Sequence, residues 1–150
     1  MQRRLDLLAS SGGVDIYEDF AHHPTAVRLV IEGFRTVYPT KRLVVAFEPR
    51  SASQRRNVFQ KAFADALSLA DRVYIGECIL DTRIPADQRM NTEQLRASIG
   101  PKAKSFSTNQ ELELTLRNDL EPGDSVIFMS SGSFSGIQHR LAEHIRKNLT

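Results

Sequence analysis

Apolar and polar positions alternate at the start of the chain. Residues 3 to 8 (Arg-Arg-Leu-Asp-Leu-Leu) read as a short strand, and Ser10-Ser11-Gly12-Gly13 as the turn into a second strand over 14–20, so the pair predicts a β-hairpin. The period then changes. Val27, Leu29, Val30, Ile31 and Phe34 recur at helical spacing over 24–37, with Pro24 at the first helical position, where its missing N–H costs nothing. Arg42 to Phe47 is a nearly continuous apolar run, as in a parallel strand covered on both faces. Ser51-Ala52-Ser53-Gln54 has capping-box spacing, and Val58, Phe59, Ala62, Phe63, Ala66 and Leu67 continue as a helix. The remainder reads as a strand over 72–77, a helix from Asn91 to Ile99, a weak strand from Ala103 to Phe106 and a helix from Gln110 to Leu120. A buried strand from Ser125 to Met129 follows, and then a last helix opened by a capping box at Ser135-Gly136-Ile137-Gln138.

Strands alternating with helices imply an α/β, Rossmann-like, doubly wound and mostly parallel sheet of about six strands. The antiparallel hairpin stands at its N-terminal end and helices cover both faces. Such a sheet binds ligands beyond the carboxyl ends of its strands. Four polar loops fall there: Asp19 to His23, Glu48 to Ser51, Glu77 to Arg83, and Ser130 to Phe134. The first sets Asp19, His22 and His23 beside a helix N-terminus, where anions are favoured; the same residues would also serve as a plain capping junction. Arg50 offers a planar fork for a carboxylate or phosphate at a strand exit, although most arginines form surface salt bridges. The Ser130–Ser133 loop suits backbone anion binding and a tight turn equally.

Composition narrows the possibilities. The 150 residues suffice for one domain with its own core, and 20 basic against 18 acidic side chains leave a net charge of +2, too small to imply a nucleic-acid or membrane partner. A lone Cys78 excludes an internal disulfide and fits a reducing, cytoplasmic setting. No apolar run approaches the length of a membrane span, and the first residues, with Arg3 and Arg4 followed by Asp6, do not read as a secretory h-region. The His22-His23 pair lacks a Cys or Glu companion at zinc spacing, so no metal site is expected, and His139 and His144 read as solvated. Neither a phosphate loop nor a Gly-x-Gly-x-x-Gly fingerprint occurs. A nucleotide triphosphate would therefore need help from elsewhere, and Met1-Gln2 reads as an abrupt start, as in a piece of something longer.

Glu18-Asp19-Phe20-Ala21-His22-His23-Pro24-Thr25-Ala26 resembles the signature that opens the C-terminal domain of Mur ligases, and Arg3-Arg4-Leu5 resembles the element joining it to their central domain. Phe47-Glu48-Pro49-Arg50-Ser51 and Ser130-Ser131-Gly132-Ser133-Phe134-Ser135-Gly136-Ile137 look closest to the family's peptidoglycan-recycling branch, with departures at 131 and 133. Glu18 stands where aspartate is usual. The resemblance implies that residues 1–150 are the C-terminal domain of a three-domain, ATP- and Mg2+-dependent ligase, whose UDP-sugar and central ATPase domains lie outside this sequence. It implies closure over ATP and positioning of the tripeptide L-Ala-γ-D-Glu-meso-diaminopimelate for joining to UDP-N-acetylmuramate through an acyl phosphate.

By the same resemblance Arg4, Asp19, His22 and His23 would contact ATP, whereas Arg50, Ser51, Glu77, Arg83, Ser131 and Ser133 would orient the tripeptide. No catalytic residue and no metal ligand is expected within the domain, and the domain alone should be inactive. One rival is the family's L-alanine-adding branch, whose strand exit carries Gln-Pro-His-Arg in place of Glu48-Pro49-Arg50. Another is a noncatalytic α/β binding module of the flavodoxin-like receiver type, which would want an acidic cluster that only Glu18-Asp19 offers.

Overall fold

In the computed structural model, residues 5–49, 59–78, 83, 85, 87, 90–130 and 132–148 are described. Six strands form one sheet: β1 (Asp6–Ser11), β2 (Val14–Asp19), β3 (Arg42–Phe47), β4 (Arg72–Ile75), β5 (Ala103–Ser105) and β6 (Asp124–Met129). Their order is β1-β2-β6-β3-β4-β5, with β1 antiparallel to β2 and every other pair parallel. The hairpin turn is Gly12-Gly13, and both glycines have positive φ (61° and 82°), the conformation that two-residue hairpin turns require. The first strand runs to Ser11, later than the reading that placed Ser10 and Ser11 in the turn.

Among the described residues there are five α-helices, four between strands and the last after β6: α1 (Pro24–Val37), α2 (Gln60–Leu67), α3 (Thr92–Ile99), α4 (Asn109–Asp119) and α5 (Ile137–Asn148). Because side chains alternate along a strand, each central strand feeds two cores. Leu43, Val45, Phe47, Val73, Ile75, Ile127 and Met129 join α1, α2 and α3 on one face. On the other, Val44, Ala46, Tyr74, Val126 and Phe128 join α4 and α5. That double cover is why the β3 and β6 segments read as unbroken apolar runs. Leu29 departs from the expected buried stripe of α1, since it is 62% exposed.

The chain moves from β2 through α1 to β3, leaving a gap that β6 later fills. Helices α1 and α2 lie on one face and α5 on the other, so the winding reverses at β6. A crevice is expected at the carboxyl ends on either side of such a strand. Three corrections concern that end of the sheet. The fourth strand stops at Ile75, because the Glu77 N–H turns to Asn109 Oδ1 (3.0 Å). Helix α4 starts at Asn109 rather than Gln110, capped by Thr108. No capping box forms at Ser135: that residue is left-handed (φ 53°) inside a short 3-10 turn (Phe134–Gly136), and the Gln138 amide donates to Glu18 Oε1 (3.2 Å).

Candidate functional site

Strand β2 delivers Asp19 to its carboxyl end, where the side chain is 3% exposed. Its Oδ2 accepts the Leu5 N–H and its Oδ1 the Ala21 N–H, both at 2.7 Å, so one carboxylate ties the entering chain to the loop that follows the strand. His22 and His23 diverge from there. A carbonyl only accepts, so the 3.0 Å contact between His22 Nδ1 and Phe20 O requires the proton on Nδ1, which leaves Nε2 as the acceptor of the neutral ring. His23 is the N-cap of α1, and its Nδ1 accepts from Thr25 N (3.4 Å), which demands the opposite tautomer. The His23 ring packs edge-on against Phe59 and the His22 ring against Phe20. Leu5, Asp19, Phe20, His22, Val30 and Phe34 line a mainly apolar groove of about 450 Å³ along α1. A flat ring with a polar rim suits it: apolar walls to cover the faces, a carboxylate and an imidazole at one end.

The ends of β3, β4 and β6 form a second cluster. Glu48, just past β3, is 2% exposed. Its Oε1 accepts from Ser130 Oγ (2.7 Å), beyond β6, and its Oε2 from Asn109 Nδ2 (2.8 Å), at the start of α4. Asn109 Nδ2 also donates to Ser135 Oγ (3.0 Å), and the Asn109 N–H donates to Glu77 Oε2 (3.3 Å). Ser130 Oγ in turn accepts the Gly132 N–H (2.9 Å). Backbone pairing continues above the strands, from Ser130 N to Asp19 O, Glu48 N to Met129 O and Gly76 N to Phe47 O. Glu77, Asn109 and Ser135 line a polar cleft of about 430 Å³ together with Thr108, Gln110 and Arg140. On its wall Arg140 forks onto Glu113 (2.7 Å at the closest). Burial alone would raise the Glu113 carboxyl, but Arg140 and Arg117 outweigh it and hold the group below the usual carboxylate range.

Of the residues singled out from sequence, Asp19 and His22 share the α1 groove, His23 caps its helix, and Glu77 lines the polar cleft. Ser133 and Arg83 are exposed. Arg4, Arg50, Ser51 and Ser131 lie outside the described residues, as does the capping box at 51–54. His139 is mostly exposed, 4.0 Å from Glu18, while His144 is half-buried rather than solvated. Sequence reasoning assigned no role to Glu48 or Asn109. One signal was present: Thr108-Asn109-Gln110-Glu111 has capping-box spacing, and Thr108 Oγ1 accepts the Glu111 N–H (3.2 Å). Among the described residues no three His, Cys, Asp or Glu side chains converge as metal ligands.

Residues 3–132 match the family described as Mur ligase, glutamate ligase domain. The UDP-N-acetylmuramate–L-alanyl-gamma-D-glutamyl-meso-2,6-diaminoheptandioate ligase of Escherichia coli (strain K12) is 31% identical over 147 residues, covering 97% of this chain and 31% of that protein. A UDP-N-acetylmuramate–L-alanine ligase of Chlorobium phaeobacteroides (strain BS1) is also 31% identical, over 154 residues, covering 99% of this chain and 33% of that protein. The chain therefore spans about a third of the length of the curated relatives it matches. Among solved structures, the murein peptide ligase of Psychrobacter arcticus 273-4 superposes with a TM-score of 0.77 at 25% identity, over 99% of this chain and 30% of that one.

Proposed function

The chain belongs to the Mur ligases, as their glutamate ligase domain, and from that premise we propose that it is the C-terminal third of an ATP-dependent ligase that joins L-Ala-γ-D-Glu-meso-diaminopimelate to UDP-N-acetylmuramate. The observation that carries this reading is the pairing of two unlike hollows at the carboxyl ends of the sheet: an apolar groove with a carboxylate at one end, and a polar cleft floored by buried hydrogen bonds. The groove suits a nucleoside. Asp19, a buried strand-end carboxylate that lines the groove, is the acceptor this reading assigns to the ribose hydroxyls. Arg4, His22 and His23 complete the nucleotide side in this reading. Arg50, Ser51, Glu77, Arg83, Ser131 and Ser133 orient the amino component, whose amine attacks a carboxylate activated by ATP. Both ATP and a UDP-sugar are cytoplasmic metabolites, and the protein would act there.

Magnesium supplies charge neutralisation in such a transfer, and the proposal assigns it to the ATPase part of the ligase, together with the phosphate loop that this sequence lacks. The 150-residue chain alone should therefore turn over no ATP. A second reading has a specific observation behind it: the L-alanine ligase of Chlorobium phaeobacteroides is as similar as the tripeptide ligase of Escherichia coli. Glu48-Pro49-Arg50, in place of the L-alanine branch's Gln-Pro-His-Arg, favours the tripeptide. The test is product formation by the full-length protein from UDP-N-acetylmuramate, ATP and Mg2+, with L-alanine and the tripeptide offered separately. Tripeptide adduct with little L-alanine adduct is expected; the reverse would select the second reading, and neither product would remove both.

A further inference from the structure

We infer that Glu48 and Asn109 form a positioning pair that holds three loops around the amino component in one arrangement, and that the polarity of this pair, carboxylate against amide, sets that arrangement. The inference rests on the ligase reading for its kinetic consequence but not for its physical content. Each of the two side chains is nine-tenths or more buried, at 2% and 3% exposure. Glu48 comes from the exit of β3, and its two oxygens reach Ser130 after β6 and Asn109 at the head of α4. Asn109 uses both ends of its amide: Oδ1 takes the Glu77 N–H at the exit of β4, and Nδ2 serves Glu48 and Ser135. Beyond the last backbone bonds of Glu48 and Gly76, the exits of β3, β4 and β6 thus meet on two side chains.

Space around the pair is tight. A Cβ on Gly76 would stand 2.7 Å from Asn109 Oδ1 and 3.1 Å from the Phe134 ring, so the Asn109 amide is held in place by backbone on one side and by hydrogen bonds on the others. The donor–acceptor order is also fixed. Glu48 is acceptor-only when ionised, so the atom facing its Oε2 must be the NH2 end of Asn109, and the Glu77 N–H then finds the carbonyl end. An aspartate in place of Asn109 has the same shape but no donor, and it sets a second carboxylate against Glu48 where little water can screen the repulsion. A glutamine in place of Glu48 supplies the missing donor. The exchanged pair, Glu48→Gln with Asn109→Asp, keeps shape and net charge, and keeps the hydrogen-bond count while reversing two bonds: the one between the pair and the one to Ser135, whose hydroxyl can rotate to donate.

The experiment compares Asn109→Asp, Glu48→Gln and the double variant in the full-length ligase. KM for ATP and for the tripeptide would be measured separately, and backbone hydrogen exchange followed over peptides containing Glu77 and Gly132. Asn109→Asp is expected to raise the tripeptide KM roughly tenfold, to leave the ATP KM within about twofold, and to speed exchange at Glu77 and Gly132. Glu48→Gln should be milder, because a rotating Ser130 hydroxyl can accept from the new amide. Adding Glu48→Gln to Asn109→Asp should restore most of the tripeptide KM and of the protection. Equal changes in both KM values, unchanged exchange in Asn109→Asp, or a double variant no better than that single one would overturn the proposal. Should wild type ligate neither amino component, the ligase reading fails, while the exchange pattern still decides whether the pair holds the loops.

Discussion

The two ends of the parallel sheet are built from different chemistry. At the amino ends, opposite charges close on one another. Arg42 forks onto Asp124 (2.6 and 2.7 Å), Lys41 reaches Asp15 (2.5 Å), and Asp119 takes both the Tyr74 hydroxyl (2.6 Å) and Lys104 (3.0 Å). At the carboxyl ends, Asp19 and Glu48 accept, among the described residues, from backbone N–H groups, a hydroxyl and an amide. Consecutive left-handed residues, Phe134 and Ser135, sit beside them, a conformation that costs an ordinary side chain energy. The contrast teaches where stability and function divide. Charge pairs at one end are internally satisfied, so that end has little left to offer a ligand. At the other end two hollows open beside the buried Asp19 and Asn109, so that end has room to receive one.

Removing the strongest latch at the amino end tests this division most severely. Asp124 is 2% exposed, accepts twice from Arg42 and once from the Glu121 N–H (2.9 Å). Asp124→Ala leaves a half-buried guanidinium and a backbone donor without their acceptor, and should cost about 3 kcal/mol of stability in chemical denaturation. In the full-length ligase at a temperature where the variant stays folded, both KM values should be unchanged. A KM shift as large as the one expected at the carboxyl ends would erase the distinction between the two.

Asp19→Ala is the counterpart at the functional end, with a smaller stability effect and a larger functional one. Two backbone N–H groups, of Leu5 and Ala21, lose their acceptor, for about 1–2 kcal/mol. The proposed ribose contact goes with them, so the ATP KM of the full-length enzyme should rise about tenfold. A stability loss with unaltered ATP kinetics would leave Asp19 as a tie between the entering chain and its loop, and nothing more.

Much of the fold could be read in the sequence because its causes are local. Two glycines set the hairpin, Pro24 after a capping histidine starts α1, and apolar runs mark β3 and β6 as doubly covered strands. Asp19 was legible as a strand-end acid for the same reason. The Glu48–Asn109 pair was not, since its residues are 61 apart and become neighbours only when β3 and α4 are set side by side. Ser135 misled because capping spacing is a necessary sign, not a sufficient one. Its hydroxyl is taken by Asn109, and the Gln138 that should have completed the box is taken by Glu18.

The smallest effects expected are in the pH dependence of stability, and their signs divide the carboxyl groups of the amino end from a neighbouring phenol. Burial pushes the Asp15 carboxyl up, but the hydrogen bond and charge of Lys41, helped by Ser10 and Ser125, more than reverse this and leave it below the ordinary aspartate value. Asp119 follows the same course: burial raises it, and the Tyr74 hydroxyl and Lys104 bring it below the usual range. A folded-state value beneath the unfolded one, about 3.9 for aspartate, means the folded protein releases these protons more readily. Their stabilisation is therefore complete above about pH 4 and disappears as pH falls through the depressed folded values. Tyr17 works in the opposite sense. Burial first, and then the charge of Asp15 and contact with Tyr38, push its hydroxyl up to about 12, so its contribution is intact below about pH 10 and is lost as pH rises toward 12. Asp15→Asn should flatten the acid limb of the stability curve, and Tyr17→Phe the alkaline limb. Since Lys41 is partly exposed, the Asp15 effect at neutral pH should stay under about 1 kcal/mol. Denaturant midpoints of the wild type and both variants from pH 2 to pH 11 provide the check. An acid limb unmoved by Asp15→Asn would show that the amino-end pairs are geometric neighbours without energetic weight, and the contrast between the two ends would then rest on Asp124 alone.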